Sequence, residues 1–198
     1  FMLWGGDMCD FGTKVSVGSP WEQLAEPKDV LDWFCRIWAP AAHRILGYVG
    51  GNHERRTTLT FGETGAEIAR RLDIPYSSGK QYVDIEFGEH QNFTIALWHG
   101  AGAAVTPGAK LNVLCRFMQE GDSQLYLIGH LHEPLVRFYA RALRRGDKVK
   151  LVKVGGAMSS SFLDYWNTYA EVANLTAAPL MMARVVLEST GKWELTLR

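Results

Sequence analysis

Ile45-Leu46-Gly47-Tyr48-Val49-Gly50-Gly51-Asn52-His53-Glu54 is the stretch whose reading decides the fold. Ile45 to Val49 reads as a buried strand that ends at Gly50-Gly51 and delivers Asn52 and His53 into a loop. Upstream of it, Val30, Leu31, Phe34, Ile37 and Trp38 recur at three- and four-residue spacing, which predicts an amphipathic helix from Pro27 to about Ala39, stopped by Pro40. Before that helix, Phe1 to Trp4 is apolar and ends in Gly5-Gly6, the pattern of another buried strand whose carboxyl end presents Asp7. Strand, helix, strand is the unit of a parallel sheet.

Working downstream, Glu63 to Leu72 reads as a helix with Ile68 and Leu72 on one face, closed by Pro75. Tyr82 to Phe87 and Phe93 to Trp98 flank the turn Gly88-Glu89-His90-Gln91-Asn92 and suggest a hairpin. After a loop from Gly100 to Pro107, Leu111, Leu114 and Phe117-Met118 mark a helix, and Leu125 to Ile128 a short strand ending at Gly129-His130. The runs near Leu135 to Ala142, Val149 to Val154, Met182 to Leu187 and Trp193 to Leu197 read as strand, and Gly155-Gly156 as a flexible break. The expected architecture is α/β, a sandwich of two sheets flanked by helices.

A chain of 198 residues with 47% hydrophobic content suits one well-buried core, so a single domain is expected over 1–198. Lys plus Arg equals Asp plus Glu at 21 each, so no global basic field attracts nucleic acid and no acidic excess suggests disorder. Cys9, Cys35 and Cys115 are odd in number and lack paired zinc spacing, which fits thiols of a cytoplasmic protein better than a disulfide scaffold. No apolar run approaches the ~20 residues of a membrane span, and no signal peptide is visible.

Four strings end these apolar runs in order: Gly6-Asp7-Met8-Cys9-Asp10, Gly51-Asn52-His53-Glu54, His99-Gly100 and Gly129-His130-Leu131-His132. In open α/β sheets, ligands bind beyond the carboxyl ends of strands, where all four strings are expected. They bring together carboxylates, an amide carbonyl and imidazoles, donors suited to manganese, iron or zinc. A pair of divalent cations about 3.5 to 4 Å apart can hold a phosphoryl group and activate a water.

The strings resemble the motifs of the calcineurin-like metallophosphoesterase superfamily: Gly-Asp-x-x-Asp, Gly-Asn-His-Asp/Glu, a later histidine and Gly-His-x-His. The resemblance spans Gly6 to His132. It implies a β-sandwich of two mixed sheets flanked by α-helices and a phosphoesterase that hydrolyses a phosphate mono- or diester, using a bridging hydroxide and two divalent ions. Manganese is the first choice among these, with iron, zinc or nickel as alternatives. By position, Asp7 would bridge both ions, Asn52, His99 and His130 would complete one site, and His132 would serve the other. His53 would be the general acid facing the phosphate, and Asp10 would orient it.

The family's opening Asp-x-His is absent, which leaves Asp7 and His132 alone at the second site. An upstream β-α unit of roughly thirty residues is the favoured explanation; the competing one is loss of a metal and of activity. Two rival functions follow, a manganese-dependent DNA nuclease of the same fold and an inactive scaffold that binds protein. Retention of the ligand residues counts against the scaffold, and neutral charge against the nuclease.

Other residues carry weaker signals. Arg55-Arg56 could reach a substrate phosphate or simply begin a solvated helix. Arg141, Arg144, Arg145, Lys148 and Lys150 surround Gly146-Asp147, as in a hairpin tip that is usually just solvated, though it could touch a nucleic-acid backbone. Phe162, Tyr165, Trp166 and Tyr169 fit a substrate wall and a core equally well. His43 and His90 are expected at the surface, and Cys9 is expected to be a small buried filler. Oligomeric state and natural substrate leave no trace in the sequence.

Overall fold

In the computed structural model, which describes residues 1–12, 25–58, 62–87, 91–166, 168, 171 and 177–198, the chain divides into two compact units. The first is Phe1–Gln81 with Asp164–Leu175, the second Tyr82–Leu163 with Thr176–Arg198.

Trp4 is the residue around which the first unit packs. It ends β1 (Met2–Trp4), which pairs in parallel with β2 (Ile45–Val49); β2 pairs in parallel with β3 (Tyr76–Ser77). The crossover between β1 and β2 includes α1 (Pro27–Trp38), which has Pro27 in its first turn, where no N–H is needed, and Asp29 near its amino end and Arg36 near its carboxyl end, both favourable to the helix dipole. Its buried face, Leu31, Phe34 and Cys35, belongs to the same core as Trp4, whose ring meets Phe34, Trp38 and Tyr48 edge-on at centroid separations of 5.5, 5.1 and 5.6 Å. Each such fully buried apolar side chain is worth about 1.5–3 kcal/mol in transfer terms. Pro40 ends the α-helical ladder as expected, but the chain stays helical, as a 3-10 turn over Ala39–Arg44. There a proline near the amino end has no N–H to waste. The helix α2 (Asn52–Arg56) follows β2, and α3 (Thr64–Leu72) adds Ile68, Ala69 and Leu72 to the core.

The second unit is organised on a five-stranded sheet of order β4-β5-β6-β8-β7, namely Lys80–Phe87, Gln91–Trp98, Leu125–Ile128, Lys148–Met158 and Leu135–Arg145. β5, β6 and β8 run parallel, and β7 returns antiparallel to β8, so the sheet is mixed. Parallel central strands need a crossover, and α4 (Pro107–Phe117) supplies it between β5 and β6. Thr106 caps α4, its Oγ1 accepting from Ala109 N at 3.3 Å. Leu114 and Phe117 pack with Tyr126, Val154 and Met158. A final antiparallel pair, β9 (Ala183–Leu187) and β10 (Trp193–Leu197), completes the unit.

The architecture is therefore α/β, with helices flanking three sheets among the described residues. Two expectations need correction. Gly155-Gly156 is no flexible break: both lie inside β8 and are buried, and a side chain at either would run into Trp193 and Phe138 or into Met118 and Leu114. Arg141 is not a solvated tip residue, since its Nη2 donates to Met118 O at 2.7 Å, Tyr139 Oη at 2.8 Å and Tyr126 Oη at 3.1 Å. Phe162 and Trp166, which the sequence left open between a wall and the core, are exposed. His43 is exposed as expected, whereas His90 and Tyr169 lie outside the described residues. Among the described residues, no helix is long and apolar enough to cross a membrane.

Candidate metal centre

In the first unit, the strand end after Trp4 and the helix start after Gly51 face one another through Glu54. Glu54 is completely buried, and its carboxylate collects four donors. Oε2 accepts from Asp7 N at 3.0 Å and Gly51 N at 2.9 Å, and Oε1 from Met8 N at 2.7 Å and the Tyr48 hydroxyl at 2.9 Å. Burial and the Glu54 charge push the Tyr48 phenol above its ordinary range, so it remains a donor. Gly51 has no room for a side chain, because a Cβ there would overlap Asp7 and Glu54.

Asp7 sits in the left-handed region at φ 54°. Its Oδ1 accepts from His53 N at 2.8 Å, which fixes the carboxylate beside the start of α2. The His53 ring points Nδ1 at Asp10 Oδ1, 2.8 Å away, and Nε2 lies 3.7 Å from Asp7 Oδ2. A carboxylate can only accept, so Nδ1 carries the proton in that contact. The hydrogen bond from His53, reinforced by the His53 and Arg56 charges, holds the Asp10 carboxyl below its usual range. Arg56 Nη1 stands 3.3 Å from Asp10 Oδ1. Arg55 is differently placed, its Nη2 donating to the carbonyls of Gly50 at 3.0 Å and Ser78 at 2.9 Å. Cys9 is buried, and burial together with the Glu54 charge pushes its thiol up to about 12, which makes it an unreactive filler. All three cysteines are free.

In the second unit, β5 ends at Trp98 and β6 at Ile128, so adjacent parallel strands deliver His99 and His130 side by side, with ring centroids 5.1 Å apart. His99 is only 2% exposed. Gly129 N donates to His99 O at 3.1 Å, tying the two strand ends together. His130 and His132 both take left-handed conformations, at φ 63° and 51°, on either side of Leu131. Non-glycine residues there are uncommon and gather at functional sites. Gly100, at φ 103°, has the Cβ of His130 3.1 Å from where its own would stand, so glycine is required on both counts. His130 Nε2 is 2.9 Å from the carbonyl of Gly102. The carbonyl can only accept, so Nε2 is protonated and Nδ1 offers the lone pair, the arrangement of a metal-binding histidine held by a backbone carbonyl. Behind this turn, Lys110 of α4 is buried and pairs with Glu133 at 3.0 Å.

Sequence reasoning placed Asp7, His99, His130 and His132 just beyond strand ends, where they are found, whereas Asn52 and His53, expected in a loop, are the first two residues of α2 because the chain turns helical directly after Gly51. It assigned no part to Glu54, Lys110 or Glu133. A glutamate three residues into a helix reaches back to the first free backbone N–H, and that rule could have singled out Glu54. Lys110 lies in line with Leu114 and Phe117, a cation on a buried stripe.

No protein-family model matches the chain, and no curated protein does. Among solved structures it is similar to a single mutant of Vps29 from Entamoeba histolytica, at 15% identity and TM-score 0.33, over 91% of this chain and 93% of that one. A double mutant of the same protein aligns at 17% identity and TM-score 0.34, over 91% and 94%.

Proposed function

We propose that this chain is a metal-dependent phosphoesterase acting on a phosphate mono- or diester. His53 carries the reading: its Nδ1 is held on Asp10 and its backbone N–H on Asp7, so a proton donor is fixed beside a carboxylate able to hold a cation. By the motif resemblance, Asp7, Asn52, His99 and His130 would be the donors for one ion. One carboxylate, one amide oxygen and two imidazoles fit manganese, iron or zinc, and the Nε2-protonated tautomer of His130 supports its part. A second ion would have Asp7 and His132, fewer protein donors than a tight site uses. The dinuclear centre therefore needs further donors of the kind an Asp-x-His string supplies. The free thiols suit a cytoplasmic setting.

When bound, divalent ions neutralise charge on the phosphoryl oxygens and acidify an attacking water. The chain's own residues do the rest. Hydroxide oxygen, the water's other proton having gone to solvent, bonds to phosphorus as the ester P–O bond breaks, and the His53 imidazolium delivers its Nε2 proton to the leaving oxygen, becoming the neutral ring whose Nδ1–H stays on Asp10. Arg56, whose guanidinium braces Asp10, is better placed than Arg55 to meet a substrate phosphate, since Arg55 is held on backbone carbonyls.

Purified protein with Mn2+ should turn over bis-p-nitrophenyl phosphate or p-nitrophenyl phosphate. His53→Ala should lower turnover by about 10²-fold or more, with the metal content by elemental analysis unchanged. Metal loss in that variant would make His53 a ligand instead. Wild-type protein with neither turnover nor bound metal would sink the phosphoesterase reading.

A further inference from the structure

Glu54 has no part in the chemistry just described, yet among the described residues it is the most completely enclosed charged group in the first unit. We infer that Glu54 is a positioning residue: its carboxylate sets the backbone of the Asp7 loop and so aims the Asp7 carboxylate. The inference rests on the proposed metal site for its functional meaning, though not for its geometry.

Two consecutive amides, Asp7 N and Met8 N, converge on the two oxygens of Glu54, at 3.0 and 2.7 Å. Successive N–H groups converge on one anion where the backbone curls into a concave nest, a geometry that left-handed residues commonly take part in. Asp7, at φ 54°, lies in that turn. The left-handed conformation of Asp7 is thus matched by the anion buried beneath it. Once the backbone is fixed, Asp7 Oδ1 lies 2.8 Å from His53 N, and the carboxylate is aimed from both ends. Glu54 reaches the loop from 46 and 47 residues away in sequence, so it couples the β1 strand end to the start of α2. Gly51 N and the Tyr48 hydroxyl take the remaining acceptor positions of the carboxylate.

Glu54→Gln tests this with almost no change in volume. Its amide presents one oxygen and one NH2, and in either orientation at least one backbone N–H of the cluster faces another donor. Mn2+ affinity measured by calorimetry should fall at least tenfold, the scale typical of losing a partner behind a metal ligand. Leu72→Ala, a core truncation in the same unit, is the control for lost stability and should keep wild-type affinity. Wild-type affinity in Glu54→Gln, or an equal loss in Leu72→Ala, overturns the inference. Should Glu54→Gln not fold, Glu54→Asp keeps both oxygens on a shorter stem and should show a smaller loss of the same kind. A wild-type protein that binds no Mn2+ refutes the metal site alone. The clamp is then read from amide hydrogen exchange, which must quicken at Asp7 and Met8 in the variant beyond the rest of the unit, and unchanged exchange there overturns it.

Discussion

The Asp7 loop of the first unit and the Gly129–Glu133 turn of the second both hold non-glycine residues at positive φ, and they do so by opposite means. The loop is closed on a buried carboxylate that draws in neutral donors from four residues. The turn is held by backbone bonds at the ends of paired strands, by the Gly102 carbonyl on His130 and by the Lys110–Glu133 ion pair. The difference is one of failure mode. A fully buried anion makes the loop sensitive to any change that opens its shell, because an unsatisfied buried charge is far costlier than a lost neutral hydrogen bond. The turn is distributed over a sheet and should lose support in smaller steps.

The sharpest break of this comparison is Gly51→Ala. Its methyl would occupy space taken by the Asp7 backbone and carboxylate and by Glu54, and these are fixed atoms rather than a flexible side-chain end. The expected cost is about 3 kcal/mol, at the upper end of overpacking, read from urea or guanidinium midpoints. A loss under about 1 kcal/mol would mean that the loop yields easily and that the clamp is not rigid.

The second unit offers the smaller counterpart. Lys110→Met keeps the aliphatic stem under α4 but strands Glu133, which is 21% exposed at its side chain and can recover part of its hydration. A loss of about 1–2 kcal/mol follows. Because the His130 turn has its own backbone anchors, Mn2+ affinity should change less here than in Glu54→Gln. Affinity that falls further in Lys110→Met would reverse the ranking of the two loops.

The two loops were not equally legible in the sequence. Apolar runs that stop at glycine located β1, β2 and β6 and put the metal-donor candidates just beyond them, because the strand period and its terminators are local signals. The α2 turn and the clamp were not legible as such. Glu54 and Asp7 meet across 47 positions, and a charged residue in a polar string reads as solvated unless its burial is known. Gly155-Gly156 misled for a related reason: glycine signals a break locally, whereas here it makes room for Trp193 and Met118 against a strand. Left-handed conformations at Asp7, His130 and His132 are likewise invisible to periodicity, since nothing in those side-chain types demands them.

The mildest test compares Glu54 with another carboxylate of the same unit. Glu67, on α3, accepts from Arg70 Nε at 2.8 Å and Arg71 Nε at 2.7 Å at the surface. The hydrogen bonds from Arg70 and Arg71 lower its pKa from 4.5 to about 2. A folded-state value below the unfolded one means that the contribution is present above the unfolded pKa of 4.5 and fades as pH falls toward 2. Glu67→Gln should therefore flatten the acid limb of the stability curve in that window. Near neutral pH, the change should stay within the few tenths to 1 kcal/mol usual for exposed ion pairs. Thermal midpoints of the two proteins should thus differ most near neutrality and converge by about pH 2, because the wild-type carboxylate loses its charge as the partner arginines keep theirs. Midpoints that stay apart at pH 2 would show that Glu67 supports α3 through something other than its charge, and that exposure alone does not separate it from Glu54.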